Sequence, residues 1–310
     1  LIGTNPRWEA TMVNARIRKA WYEKRIPIGL VGEERDLTYP KTYIGAGPES
    51  LEDLLKGKHK FAEKLKDAER PMLIIGMGAF QRPDGKEIQA RACELAEHFG
   101  MIQENWNGFN VLHNAAGRMG ALMMEFVPQG APIDWSEIKL VYAHGADSFD
   151  FSRLSEDCFL IYQGHHGDEG AQRADVILPG AAYTEKDALY VNTEGRVQMA
   201  KQAVFPPGQA KEDWRILRAL SEVLGYKLPF DTLAQLRDQL CADYPAFAEI
   251  DRVRPASWTS SGAQGRAENH PFRTPVKNYY MTDPISRSSR VMAQCTESFL
   301  QERPELIAAE

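Results

Sequence analysis

The chain has 310 residues, of which 43% are hydrophobic, so it can bury the core of one large domain or two ordinary ones. Its formal net charge of −6 argues against a dedicated nucleic-acid-binding protein, because such proteins usually present a basic face. Apolar runs stay well below the roughly 18–20 residues that cross a bilayer, so direct membrane insertion is not expected.

The four cysteines are scattered, and no two lie closer in sequence than Cys241 and Cys295. Iron–sulfur and structural zinc sites usually draw at least two ligands from one short turn with closely spaced cysteines. We therefore expect neither kind of site in these residues. Buried, reduced thiols are the simplest role for all four cysteines.

The first predicted element is the end of a strand at Leu1–Ile2, which enters a turn at Gly3-Thr4-Asn5-Pro6. Most of that strand would precede Leu1, so the sequence predicts a truncated chain. Asn5 can cap the following helix, and Pro6 at its first position loses no needed N–H group. The N–H groups of this turn could alternatively face a phosphate.

Short apolar runs and helical patterns alternate through the next 240 or so residues. Most of the runs end in a glycine-rich turn, which is typical of a doubly wound, mainly parallel α/β sheet. Strands are predicted at 26–31, 72–75, 140–143, 159–162, 176–178 and within 189–205, and helices at 6–24, 50–69, 88–100, 212–225 and 232–241.

After Tyr244 the composition changes, because prolines, arginines and serines become frequent. We predict an α/β domain over residues 1–244 and a loop-rich, irregular extension over residues 245–310. Its segment 279–281 (Tyr-Tyr-Met) and Phe299 are too apolar for a free tail, which indicates docking onto the domain or onto a partner.

Gly76-Met77-Gly78 follows a predicted buried strand, as a nucleotide-binding turn would. The third glycine of such a motif is missing, since Arg82 stands in its place. A structural tight turn is therefore the favoured interpretation, and a nucleotide-binding module is the alternative.

His165 and His166 stand beside acidic residues in another such turn. Adjacent side chains on an extended segment point to opposite sides, so the pair is not expected to share a metal ion. Hydrogen bonding within the loop is the favoured interpretation.

The most patterned stretch runs from residue 168 to residue 198. A buried strand ends at Leu178-Pro179, and a polar loop with Glu185, Lys186 and Asp187 follows. Such a loop lies at the carboxyl edge of the sheet, where ligands bind in folds of this class.

This stretch resembles the molybdopterin oxidoreductase family, in which A-D-V-x-L-P and N-T-E-G-R-x-Q recur in this order, and Gly3-Thr4-Asn5-Pro6 resembles the family's G-x-N-P turn. A closer resemblance is to the large iron–sulfur subunit (G or 75 kDa type) in the peripheral arm of respiratory complex I, NADH:quinone oxidoreductase. Residues 3–21, 106–127 and 280–287 carry it.

The resemblance implies a molybdopterin oxidoreductase fold that has lost its cofactor, while 4Fe-4S and 2Fe-2S clusters lie in a separate N-terminal region of the parent subunit. It implies a non-catalytic, structural and subunit-contact domain. It would be peripheral on the cytoplasmic face of a bacterial inner membrane, or on the mitochondrial matrix side, with other peripheral-arm subunits as partners. No catalytic or metal-binding residue is expected, and the vestigial pterin-site candidates are Gly3, Asn5, Asp175, Glu185, Asn192, Glu194 and Arg196.

The alternative is a portion of an active molybdenum or tungsten bis-pterin oxidoreductase of the formate-dehydrogenase-like kind. It rests on the same motifs at Leu178-Pro179 and Asn192–Arg196. A shared fold does not by itself confer an activity.

Overall fold

The structure, a computed structural model, describes residues 1–127 and 133–301. It has the predicted mixed α/β fold, with short strands that are mainly parallel. Contacts divide the described residues into two compact units. The first consists of residues 1–115 and 255–279, and the second of residues 116–254 and those from 280 onward.

The first unit is built around a parallel sheet whose middle position is taken by Ile2. This residue bridges Val31 on one side and Ile75 on the other. The strands of the unit are β1 (Gly29–Val31), β2 (Thr42–Gly45), β3 (Leu73–Ile75), β4 (Ile102–Gln103), β5 (Trp106–Asn107) and β6 (Phe109–Val111), and its helices are α1 (Pro6–Glu9), α2 (Thr11–Lys24), α3 (Glu49–Leu55), α4 (Phe61–Lys66), α5 (Met77–Phe80) and α6 (Gly85–His98).

The parallel strands stand in the order β2, β1, Ile2, β3, β6. From Ile2 the chain first builds outward to β2, and then returns to the other side of Ile2 to build β3 and β6. This is a doubly wound sheet, as the sequence predicted, and Leu1–Ile2 does lie in a strand position. The separate β4–β5 hairpin is antiparallel.

Helix α6 supplies much of the core of the first unit. Its predicted inner face is buried, since Ile88, Ala92 and Leu95 are at most 1% exposed. These side chains pack in one apolar cluster with Ile75 at the centre of the sheet. The i, i+4, i+7 spacing therefore placed this face correctly.

The segment 255–279 also enters this core. Phe272 is 1% exposed within the same apolar cluster. Trp258 packs edge-on against Phe109 at 5.2 Å between ring centroids, and its indole N–H donates to Glu97. Neither aromatic residue was predicted from the sequence as an anchor.

Two predicted helices are each divided in two. The helix predicted over 50–69 breaks because Gly57 adopts a left-handed conformation (φ +67°), which ends the turn after α3. The helix predicted over 6–24 is interrupted at Ala10, whose backbone is extended at φ −151°. Strands β2 and β6 were missed, because these edge strands are only partly buried and lack the fully buried apolar pattern of the equally short β1 and β3.

The second unit contains a three-stranded parallel sheet in the order β7, β8, β9, together with an antiparallel hairpin of β10 and β11. Its strands are β7 (Leu140–His144), β8 (Phe159–Gly164), β9 (Val176–Pro179), β10 (Ala188–Val191) and β11 (Val197–Ala200), and its helices are α7 (Arg118–Met123), α8 (Glu169–Arg173), α9 (Asp213–Val223), α10 (Leu233–Asp243), α11 (Pro284–Arg287) and α12 (Arg290–Thr296).

Phe247, just beyond the predicted boundary at residue 244, is buried with Val191 and Val197 of the hairpin. By contacts, the residues after 244 therefore belong partly to each unit. The division into a domain over 1–244 and an extension over 245–310 stays a prediction. No helix in the described ranges is long and apolar enough to cross a membrane.

Replacing Leu95 by Ala should lower the free energy of unfolding by about 2–4 kcal/mol, because the lost methyl groups leave a cavity in the core of the first unit. Leu224→Ala is the matched control, since Leu224 is 63% exposed and its truncation should change stability by less than about 0.5 kcal/mol. Urea denaturation measures both. Equal losses would contradict the assignment of the core.

Candidate functional site

The centre of the first unit has the geometry of a ligand crevice. In doubly wound sheets, ligands bind outside the carboxyl ends of the strands, at the point where the strand order reverses. Here that point lies between Ile2 and β3. The turns that leave these two strands are Gly3–Pro6 and Gly76–Gly78, so the two glycine motifs of the sequence meet at the switch point.

The glycines at this point permit a close approach of backbone to backbone. Gly3 has φ +54°, and a Cβ there would lie 2.7 Å from the backbone nitrogen of Ala79. A Cβ on Gly78 would lie 2.7 Å from the carbonyl oxygen of Gly3 and would overlap that of Arg273. The structural interpretation of Gly76-Met77-Gly78 accounts for these contacts.

The crevice is covered by residues 268–275, which we call the strap. The backbone N–H of Phe272 donates to the carbonyl of Ala46 at 2.8 Å, just beyond β2. A Cβ on Gly47 would lie 2.8 Å from the carbonyl oxygen of His270. The strap thus runs across the carboxyl ends of several strands of the sheet.

Asn5 takes the predicted N-cap position of helix α1, with Pro6 at its first position, but its side chain does not cap the helix. No side-chain capping bond is formed within the described residues. Instead the backbone N–H of Asn5 donates to the carboxylate of Glu9 at 2.5 Å. Burial raises the pKa of Glu9 above its usual range, and this hydrogen bond only partly opposes the shift. The amide oxygen Oδ1 of Asn5 is buried and lacks a partner in the described part of the chain.

Two further candidates, Asp175 and Glu185, accept hydrogen bonds from nearby backbone. Asp175 accepts from the N–H of Leu160 at 2.7 Å, and its own N–H donates to the carbonyl of Leu160 at 2.9 Å. It therefore ties the start of β9 to β8. Glu185 accepts from the N–H of Ala182 at 2.9 Å and closes the turn after β9.

The N-T-E-G-R motif forms the turn between β10 and β11. The side-chain oxygen of Asn192 accepts from the N–H groups of Glu194 at 2.9 Å and Arg196 at 3.1 Å. Gly195 takes the left-handed conformation that the turn requires, with φ +79°. Arg196 donates to Glu194 and to the carbonyl of Asp251. The candidates Asn192, Glu194 and Arg196 therefore do lie together, and their mutual hydrogen bonds stabilise the hairpin turn.

A polar network at the carboxyl ends of the second unit's parallel strands was not predicted from the sequence. Asp213, at the start of α9, accepts from His144 Nε2 at 3.2 Å, from Gln163 Nε2 at 2.8 Å and from Lys186 Nζ. Gln163 is fully buried, and its amide oxygen accepts from the hydroxyl of Tyr142. The signal was the pair of polar residues, His144 and Gln163, that stand where two neighbouring strands end.

Burial of Asp213 opposes its ionisation, but hydrogen bonds from His144 and Lys186 and the charge of Lys186 outweigh it. They hold the pKa of Asp213 well below its usual range. Every side chain of the network makes a hydrogen bond or an ion pair with another member, so the network holds α9 against the sheet.

The two adjacent histidines were predicted to point to opposite sides, and this was wrong. Their Nδ1 atoms are 2.7 Å apart, because residues 165–166 form a bend rather than an extended strand. Burial lowers the pKa of His165, and His166 and Lys186 add to the shift. Residues 1–127 and 133–301 contain no group of three or more His, Cys, Asp or Glu side chains that could hold a metal ion.

The sequence model of the molybdopterin oxidoreductase family matches residues 1–223. The chain belongs to this family. A second model, which describes the C-terminal part of the G-type subunit of NADH-ubiquinone oxidoreductase, matches residues 252–295. Both matches confirm the resemblance that the sequence motifs indicated.

Curated relatives agree. The chain is 43% identical to the mitochondrial NADH-ubiquinone oxidoreductase 78 kDa subunit of Neurospora crassa, over 96% of the chain and 41% of the relative. It is 41% identical to the mitochondrial NADH dehydrogenase (ubiquinone) iron-sulfur protein 1 of Solanum tuberosum, over 96% and 40%. The 78 kDa subunit of Candida albicans is also 41% identical, over 96% and 42%. The chain thus spans about two fifths of the length of these relatives.

The family name implies a molybdopterin group, and the crevice of the first unit can be tested for its fit. The strap lies over the carboxyl ends of the strands, and its Arg273 carbonyl abuts Gly78. As folded, the strap covers the Gly78 turn, so the crevice of the first unit does not fit this group there, although the buried Oδ1 of Asn5 has no partner among the described residues.

Asp213→Asn should lower the free energy of unfolding by about 1–3 kcal/mol at neutral pH, because it leaves Lys186 mostly buried without its counter-charge. The folded pKa lies below the unfolded one, so this stabilisation is present above the ordinary aspartate range and is lost as the pH falls toward the folded pKa. The difference from the wild type should therefore shrink in strong acid.

Urea denaturation at several pH values measures this difference. Asp238→Asn is the control, because Asp238 is an exposed aspartate on α10, and it should leave stability nearly unchanged. A loss for Asp213→Asn that stays constant down to strong acid would contradict the electrostatic origin of the effect.

Proposed function

We propose that this chain is the non-catalytic, structural and subunit-contact part of an iron–sulfur subunit in the electron-input arm of NADH:quinone oxidoreductase. Three observations support it: the match of residues 252–295 to the C-terminal model of the G-type subunit, the 41–43% identity to relatives named as subunits of that enzyme, and the geometry of the candidate site.

The geometry carries most of the argument. A pterin site needs side chains that converge on a ligand with free donors and acceptors. Asp175 and Glu185 each accept a hydrogen bond from nearby backbone, and Asn192 accepts two. Asp175 stabilises the pairing of β9 with β8, and Glu185 and Asn192 each stabilise a turn, which are structural roles.

The proposal places the electron carriers elsewhere in the parent subunit. The four cysteines of the chain are free, and Cys93 and Cys158 are buried. One relative is named an iron-sulfur protein, and the chain covers 40% of it. We assign 4Fe-4S and 2Fe-2S clusters to the remainder of the parent subunit, peripheral on the cytoplasmic face of a bacterial inner membrane or on the matrix side in mitochondria.

Contacts with other peripheral-arm subunits need an exposed apolar surface. The segment after residue 279 offers one, since Val291 is 59% exposed, Phe299 46% and Ile285 37%. Isolated exposed apolar residues are common, but three such side chains fall within the 15 residues from 285 to 299 here. They lie in or next to the stretch that the C-terminal model matches.

Metal analysis of the purified native complex tests the proposal against an active molybdenum or tungsten enzyme. We expect iron to be present, and molybdenum and tungsten each to stay well below one atom per parent protein. Stoichiometric molybdenum or tungsten would establish the alternative, because the bis-pterin group carries that metal.

Val291→Asp tests the contact surface. The added charge should lower incorporation of the subunit into the assembled arm by about tenfold, because burying an unpaired carboxylate at an interface is costly. Gln294→Asp is the control, since it adds the same charge at an exposed polar position of the same helix. Native electrophoresis with quantitative immunodetection measures incorporation. Incorporation of Val291→Asp at the wild-type level would remove this helix from the contact surface.

A further inference from the structure

We propose that the strap, residues 268–275, is a built-in occupant of the first unit's ligand crevice, and that Arg82 locks it there. The strap lies where a doubly wound sheet receives a dinucleotide-class ligand, between the turns that follow Ile2 and β3. The inference concerns the first unit alone and does not depend on the proposed function.

Arg82 fixes the beginning of the strap. Its guanidinium donates to the carbonyl of His270 at 2.6 Å and to that of Glu268 at 2.8 Å. The same guanidinium pairs with Asp84 at 2.7 Å and 2.8 Å, and both side chains of this pair are about 10% exposed. Asp84 in turn accepts from the N–H of Glu268 at 2.7 Å. One charged pair therefore holds both polar groups of the Glu268 backbone.

Phe272 fixes the middle of the strap. It is 1% exposed, and its ring lies 5.3 Å from the central carbon of the Arg82 guanidinium. Its N–H bond to Ala46 aligns the strap backbone with the end of β2. An apolar anchor and a polar clamp thus act on neighbouring positions of the same segment.

The last part of the strap reaches the turn after Ile2. The hydroxyl of Thr274 donates to the carboxylate of Glu9 at 3.4 Å. The guanidinium of Arg273 lies 3.6 Å from the carboxylate of Glu33. The carbonyl oxygen of Arg273 faces Gly78. At the Gly78 turn a phosphate would meet the carbonyl oxygen of Arg273, and the nearby guanidinium groups of Arg82 and Arg273 already pair with Asp84 and Glu33, so strap and anionic ligand exclude each other.

Hydrogen–deuterium exchange of the full subunit in its native complex tests the clamp. Arg82→Gln should raise the exchange rate of the strap's amides on the order of tenfold to a hundredfold, because two charge-assisted bonds are lost. Arg91→Gln is the control: Arg91 stands on α6, where it pairs with Glu94 of the same helix at a more exposed site, so strap exchange should stay unchanged.

Gly78→Ala provides an independent variant, because its Cβ would overlap the Arg273 carbonyl and push the strap outward. We expect faster strap exchange while the amides of α6 stay protected, which separates strap release from unfolding. Unchanged strap exchange in both variants would overturn the proposal. So would calorimetric binding of GDP to the wild type, because the crevice would then be open to ligand.

Discussion

The first unit depends on the backbone pairing of Ile2 with both of its neighbours. The N–H of Ile2 donates to the carbonyl of Ile74 at 2.9 Å, and the carbonyl of Ile2 accepts from Gly76 at 3.0 Å. On the other side, the N–H of Gly3 donates to Val31 at 2.9 Å. Two residues thus join the two halves of a doubly wound sheet, and they fix the switch point from which the rest of the unit is arranged.

That pairing explains why the neighbouring turns are rich in glycine. Strands this close force the turns after Ile2 and β3 against each other, so that Gly3 and Gly78 stand where a side chain would strike backbone. The same lack of side chains leaves a groove above the turns. In this protein the groove receives a segment from about 190 residues further along the chain, which carries its own polar clamp and aromatic anchor.

Residue spacing and apolar runs in the sequence predicted the elements that local interactions determine. The buried face of α6, the parallel strands at 140–144 and 159–164, and the strand position of Leu1–Ile2 follow from spacing and apolar runs. Edge strands β2 and β6 were not predicted, because they are short and only partly buried, so no fully buried apolar run marks them. The Arg82 clamp joins residues 186 positions apart and could not be predicted. In the Asp213 network only the strand-end residues His144 and Gln163 carried a signal, because Asp213 lies 50 positions from Gln163 and only the folded chain brings them together.

The motifs that identified the family form hydrogen bonds that stabilise turns and strand pairing. Asn192 is needed because its side-chain oxygen receives two backbone N–H groups of a turn, and Gly195 because that turn requires a positive φ. Asp175 holds the first pairing of β9 with β8. A domain of this fold can therefore keep the motif of an oxidoreductase family while a segment of its own chain lies over its crevice, because turns and strand pairing do not require an open crevice.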